Sequence, residues 1–236
     1  MGAGAALGQK KRLGRSFFAR DGITVARELL GKILVHESSL GEIRGVITEV
    51  ESYMGETDKG AHTYGGRRTK RTEPMYHAGG TSYVYLIYGM YSCMNIAAMK
   101  KDVPQAVLLR SVVPADEESR RRMLALRLEE LNERQAKKGG NPYNEGNCPA
   151  SLKKHLADGP GKLCIAMGIT RADNDVDMVK SKSFYVTEGV EPSQILAGKR
   201  IGIDYAEEAA DYLWRFYLDV KGEGWAKEGA YGRGGE

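Results

Sequence analysis

Apolar positions recur along the chain with two periods, and they divide it into short helices and strands. Phe17, Phe18, Val25, Ala26, Leu29 and Leu30 are spaced for a short helix packed on a sheet, with Thr24 as its N-cap and Gly31 as its stop. Ile33–Glu37 reads as a strand. Glu42 and Ile43 then lead through Gly45 into a stronger one, Val46–Tyr53. The run Thr81–Asn95, TSYVYLIYGMYSCMN, is rich in aromatic and β-branched residues and can bend at Gly89, so it predicts a β-hairpin. Alternation sends Tyr83 and Tyr85 to one face and Leu86 and Tyr88 to the other, with Tyr88 at the tip. A bulky ring is unusual beside a turn, where small polar residues are favoured. The pattern fits both a tyrosine-rich core hairpin and a tip that enters another molecule.

Val107–Val113, VLLRSVV, is a buried type of strand interrupted by Arg110 and ended by Pro114. Asp116–Lys137 has Leu124, Leu128 and Leu131 on one stripe and reads as an exposed amphipathic helix. Gly139–Pro149 is a turn-rich linker, expected to be mobile. Gly159–Lys162, GPGK, is not a phosphate loop: Leu163 stands where Ser or Thr is needed, and Leu156 occupies the place of the upstream glycine. Leu163–Met167 begins a short core helix instead. Phe184–Val186, Arg200–Ile203 and Arg215–Leu218 read as further strands. Together these elements predict a mixed α/β (α+β) fold. One domain, residues 15–221, would carry a curved, mainly antiparallel sheet with helices around it and a protruding hairpin. A mobile basic arm (1–14) would precede it and a glycine-rich tail (222–236) follow it.

Composition changes this picture little. The 236 residues are 42% hydrophobic and 28% charged, which is ordinary for a globular protein. The net charge of +4 is modest, but basic residues cluster at Lys10–Arg15, at Arg67, Arg68, Lys70 and Arg71, and at Arg120–Arg122. Such clusters favour a phosphate-bearing partner and are also common on solvated surfaces. Cys93, Cys148 and Cys164 form no Cys-x-x-Cys spacing, so a reduced, intracellular compartment is the simpler reading than a disulfide framework. The four histidines are widely spread, and neither a metal nor another cofactor is expected. No apolar run approaches membrane-spanning length, no signal-peptide core is present, and Ala6 stands where myristoylation prefers Ser or Thr. A soluble protein without membrane contact is expected.

Candidate chemistry begins on the Val46–Tyr53 strand. One face carries Ile47, Glu49, Glu51 and Tyr53, which is either a solvated outer face or a pocket wall with a carboxylate beside a ring. Met54–Gly80 is long, polar and aperiodic, as functional loops often are, and contains His62 and the Arg67–Arg71 cluster. Arg110, set in an apolar strand, needs a carboxylate partner. No Ser–His–Asp arrangement or nucleotide loop is signalled. What remains is a carboxylate, aromatic walls and positive charge, a set suited to hydrolysing a base taken out of a nucleic acid stack. Aromatic faces hold a flat base, a carboxylate activates water, and the basic loop grips phosphates without reading sequence.

The segments GVITEVESYMGETDKGAHTYGGRRT, GTSYVYLIYGMYSCMNIA and VLLRSVVP, followed by GPGKLC and RFYL, resemble the 3-methyladenine (alkyladenine) DNA glycosylase family. The resemblance implies a DNA glycosylase; no lysine is placed as an amine nucleophile, so a monofunctional enzyme without lyase activity, acting as a monomer, is expected. It would act on double-stranded DNA containing 3-methyladenine, 7-methylguanine, hypoxanthine or ethenoadenine. It implies Glu51 as general base on the water that attacks the sugar, with Arg110 holding that water and the carboxylate. Tyr53 and His62 would stack on one face of the flipped purine and Tyr85 on the other. Asn95 would exclude the 2-amino group of normal guanine, and Tyr88 would fill the gap left in the helix. Arg67, Arg68, Lys70 and Arg71 are candidate contacts to the DNA backbone. Glu49 would support this set, and a non-catalytic binder of damaged or distorted DNA is the alternative reading. The charged helix Asp116–Lys137, Tyr64 and the MYHAGG stretch depart from the mammalian pattern, and they bear on lesion preference.

Overall fold

The longest strand organises the sheet. The structure, a computed structural model, describes residues 10–87 and 89–223. In it β2 (Gly41–Tyr53) runs through the middle and pairs with three neighbours. Its first half pairs with β1 (Ile33–Ser38), from Ser38↔Gly41 to Ile33↔Val46. Its second half pairs on that side with β8 (Arg215–Tyr217). Along its other edge lies β5 (Gln105–Pro114), with an irregularity in register between Ile47 and Val50. Bulges of this kind sharpen the local twist and re-aim side chains. Here the irregularity brackets Glu49, the first of the two glutamates.

The strand order is β3 (Ser82–Ile87), β4 (Tyr91–Ala98), β5, β2, β1, β6 (Phe184–Thr187), with β7 (Leu196–Gly198) attached through β8. All the pairings are antiparallel. The sheet curls into a half-barrel with helices packed on it, the mixed α/β architecture expected. α2 (Gly22–Leu29), α3 (Glu117–Ala136) and α4 (Pro160–Met167) cover the sheet and share one core with it. That core includes Phe18, Leu29, Ile47, Met94, Leu109, Met123, Leu163 and Phe184, all essentially buried. Each such side chain contributes roughly 1.5–3 kcal/mol on burial. The core anchors the strands whose opposite faces carry the polar site.

Several expectations need correction. The first helical segment is two helices, α1 (Arg15–Phe18) and α2, and the N-cap of α2 is Asp21 rather than Thr24. The Asp21 carboxylate accepts from the backbone N–H groups of Ile23 and Thr24, so the helix starts before Thr24. Gly31, at φ +82°, ends it as expected. Arg200–Ile203 is not a strand; it is a bend around Gly202, whose φ is +79°. Residues 10–14 of the expected arm are held on the sheet. Leu13 is buried, its N–H donates to Val186 O, and Arg12 donates to the Met178 carbonyl and lies over the Tyr185 ring. Residues 1–9 and the tail from 224 lie outside the described residues. The linker 139–149 is tied back on α3: Asn132 exchanges two hydrogen bonds with the backbone of Tyr143, and Gln135 donates to the Tyr143 hydroxyl.

Candidate active site

Alternation puts Glu49, Glu51 and Tyr53 on one face of β2, and Arg110, which the register of β5 skips, reaches the two carboxylates from the neighbouring strand. Arg110 bridges both carboxylates: Nε donates to Glu49 Oε1 at 2.9 Å, and Nη1 lies 3.2 Å from Glu51 Oε1. Arg215 of β8 reaches Glu49 Oε1 at 3.2 Å. The result is a network of two carboxylates and two guanidiniums. Glu51 also accepts from the Ile201 N–H at 2.8 Å through Oε1 and from the Tyr53 hydroxyl at 2.9 Å through Oε2. Its side chain is 0% exposed, which excludes the solvated-face reading of this strand.

Burial pushes the Glu51 carboxyl above its ordinary range, against the opposing pull of Arg110, the Ile201 N–H and the Tyr53 hydroxyl. Burial first, and Glu51 second, hold the Tyr53 phenol well above its usual value, so Tyr53 is a neutral donor. Glu51 is therefore ionisable but costly to ionise. A carboxylate in that state is a stronger proton acceptor than one in water.

A cleft of about 300 Å³ opens beside this network, at the lower end of the range for small-molecule sites. Its wall includes Tyr53, His62, Arg71, Tyr85, Asn95 and Arg110. Five of these are expected site residues; Arg71 was expected on the DNA backbone instead. Glu51 stands one layer behind the wall, covered by Tyr53 and Arg110.

β3 and β4 supply the opposite wall. Tyr83 and Tyr85 stack at 5.1 Å, and His62 meets Tyr85 edge-on at 4.7 Å with its Nδ1 3.0 Å from the Tyr83 hydroxyl. His62 and Tyr85 therefore touch, and a base lying between them would have to part them. Burial, with Arg71 and Arg67 adding to it, lowers the His62 pKa to about 4, so the ring is neutral near physiological pH. Burial raises the Cys93 thiol to about 11, so it too is uncharged. Asn95, directly across the strand pair from Tyr83, is 4% exposed, and its Nδ2 lies 3.4 Å from Tyr83 O.

Beneath the cleft lies an ion pair that the sequence did not reveal. Arg200 and Asp58 are joined by two hydrogen bonds of 2.5 and 2.8 Å, and both side chains are 0% exposed. The Arg200 guanidinium lies 4.8 Å from the centre of the Tyr53 ring and 5.0 Å from that of Trp214. It also donates to the carbonyls of Ser52 and Ala209. The next residue along is Ile201, whose N–H binds Glu51. One buried cation thus backs the aromatic wall and fixes the loop that holds the carboxylate.

The basic loop divides three ways. Arg68 is bound to Glu73 and Asp102 and lies over the Tyr76 ring, so in this structure its charge is already matched. Arg71, itself an exposed residue, places its guanidinium over the Tyr85 ring, 5.2 Å from its centre. Arg67 and Lys70 are exposed and make no ion pair among the described residues. Tyr88 lies outside the described residues; its neighbours at the hairpin tip, Leu86 and Met90, are 41% and 72% exposed.

A curled antiparallel sheet presenting an aromatic cleft, with a buried carboxylate–arginine network behind its wall, is the equipment of an enzyme that works on a flat ring. The family profile described as methylpurine-DNA glycosylase (MPG) matches residues 16–222. A Clostridium novyi protein, provisionally named a 3-methyladenine DNA glycosylase, is 48% identical over 208 residues, covering 88% of this chain and 95% of that one. Proteins of the same provisional name from Clostridium acetobutylicum and Desulfitobacterium hafniense are 47% and 44% identical, covering 88% and 89% of this chain and 94% and 96% of theirs. The chain belongs to the methylpurine-DNA glycosylase family and is a DNA glycosylase of base excision repair.

Proposed function

We propose that this glycosylase flips alkylated or deaminated purines out of double-stranded DNA and hydrolyses the N-glycosidic bond with a water activated by Glu51. The candidate bases are 3-methyladenine, 7-methylguanine, hypoxanthine and ethenoadenine. The observation that carries the reading is the burial of Glu51 behind an aromatic cleft, where Arg110 and two N–H or O–H donors hold it. A protein that only bound DNA would have no use for a carboxylate kept so costly to ionise.

In the reaction the purine enters the cleft between Tyr53, His62 and Tyr85. The C1′–N bond breaks with its electron pair leaving on the base, and the sugar passes through an oxocarbenium-like state. Water adds to C1′ and its proton goes to Glu51. Arg110 holds the carboxylate in place through the cycle. Asn95 meets the base edge and opposes the 2-amino group of guanine, while Tyr88 takes the place of the extruded nucleotide. Among the described residues no lysine lines the cleft, which supports a reaction without an amine nucleophile and without strand cleavage. The product is an abasic site in an intact strand, made by a monomer with DNA as its partner. Among the described residues no helix is long and apolar enough to cross a membrane.

The test uses duplexes carrying one of the four lesions, with abasic sites revealed by alkaline strand cleavage. Wild type should form them and Glu51→Gln should not. Equal rates for the two proteins, or no release from any lesion, would overturn the reading. Breaks without alkali would overturn its monofunctional part.

A further inference from the structure

The charges around the cleft nearly cancel, and the one left over points to a specificity. Glu49 and Glu51 are matched by Arg110 and Arg215. Arg200 is matched by Asp58. His62, Cys93, Tyr53, Tyr83 and Tyr85 are uncharged. Arg71 remains. It lines the cleft, lies 5.2 Å from the centre of the Tyr85 ring, interacts with the Tyr83 hydroxyl, and has no carboxylate partner among the described residues. Arg67, on the same loop, adds charge of the same sign.

We propose that Arg71 sets the charge preference of the cleft, favouring purine lesions that are neutral in DNA over those that already carry a positive charge. The proposal rests on the glycosylase reading above. Hypoxanthine and ethenoadenine are neutral as nucleosides. When their C1′–N bond breaks, the electron pair leaves a developing anion on the ring, and a cation fixed on the tyrosine wall stabilises it. 3-Methyladenine and 7-methylguanine nucleosides are cations. Their rings must enter beside a like charge, and only become neutral once the same electron pair has moved. A guanidinium already on the Tyr85 ring also competes for the aromatic surface that would otherwise reward a cationic base. The cationic lesions need less help, because their positive charge already weakens the bond to be cut.

The experiment compares wild type, Arg71→Lys and Arg71→Gln on duplexes of one sequence containing either hypoxanthine or 7-methylguanine. The quantity read is the ratio of the two kcat/KM values. Arg71 is on an exposed loop, so both variants should fold. Arg71→Gln should shift the ratio toward 7-methylguanine by on the order of tenfold, the effect of one partly screened charge at contact range. Arg71→Lys should keep the wild-type direction. An unchanged ratio in Arg71→Gln would overturn the proposal. So would an equal loss on both substrates with a shallower salt dependence, which would make Arg71 a phosphate contact. If wild type released neither base, the glycosylase reading itself would fall, a result separate from an unchanged ratio.

Discussion

The Tyr53 hydroxyl donates to Oε2 of Glu51 at 2.9 Å, from two residues further along the same strand. One side chain of the aromatic wall therefore caps the carboxylate assigned as base. The bond stabilises the ionised form of Glu51, while burial opposes ionisation. Tyr53→Phe keeps the ring and removes the donor, so the Glu51 pKa should rise further. With Glu51 as the proposed base, activity should require its ionised form and fall as the pH falls through that pKa. The acid limb of single-turnover rate against pH should thus move to higher pH in Tyr53→Phe. An unmoved limb would separate this hydrogen bond from the chemistry.

Glu51 should cost stability where it is charged. Its folded-state pKa is raised, so the native state prefers the protonated carboxyl. By linkage, the stability this contributes is fully present below the unfolded-state pKa and is lost as pH rises through the folded one. Glu51→Gln removes the charge but leaves Arg110 paired with Glu49. The variant should match wild type in Tm at acidic pH and exceed it near neutral pH, while its rate falls by about 10²–10⁴-fold, the usual worth of a general base. Thermal unfolding at the two pH values checks this. A lower Tm for the variant near neutral pH would make Glu51 a structural carboxylate.

The parts of the site legible in sequence were those that break a local rule. A hairpin of alternating tyrosines and β-branched residues has few other solutions, and it folds as read over Ser82–Ile87 and Tyr91–Ala98. An arginine inside VLLRSVV needs a carboxylate, and it takes both glutamates of the neighbouring strand. The Arg200–Asp58 pair broke no such rule. Its members are 142 residues apart, and each is ordinary in its own segment. RIGI even imitates a strand, because isoleucines two apart mimic alternation. Gly202 at positive φ undoes that alternation, leaving Ile201 52% exposed and Ile203 4%. Thr24 was misread as a cap for a similar reason: the apolar spacing of Phe17–Leu30 is continuous, although the backbone breaks at Ala19–Arg20.

The Arg200–Asp58 pair should be far costlier to break than to replace. Asp58→Ala leaves a guanidinium at 0% exposure without its counter-ion. Losing one partner of a buried pair costs about 3–5 kcal/mol. Asp58→Ala with Arg200→Met removes both charges and should be less destabilised than the sum of the single changes. Urea unfolding of the three variants completes the cycle. Strict additivity would show that the two residues act independently.

The three kinds of arginine and lysine on the 67–71 loop should differ in their response to salt. Arg67 and Lys70 have no ion pair among the described residues, whereas Arg68 is neutralised by Glu73 and Asp102. A residue that contacts phosphate lowers the slope of log K against log salt by about one when removed. Arg67→Ala and Lys70→Ala should each flatten the slope for binding to lesion-free duplex. Arg68→Ala should leave the slope near its wild-type value. Fluorescence anisotropy over a salt series measures it, and a flattened slope for Arg68→Ala would mean that DNA displaces its acidic partners.

Tyr88 is the residue proposed to fill the gap in the helix. Leu86 and Met90, which flank it in sequence, are exposed and form an apolar surface that water does not favour. Taking up the place of an extruded nucleotide would cover that surface and offset the cost of unstacking, about a few kcal/mol per step. Tyr88→Ala should therefore weaken binding to a lesion-bearing duplex by about 2–3 kcal/mol on that scale. Binding to single-stranded DNA, where no gap has to be filled, should change much less. The comparison is made in the Glu51→Gln background so that no product forms. Equal losses on the two DNAs would make Tyr88 a general contact rather than a plug.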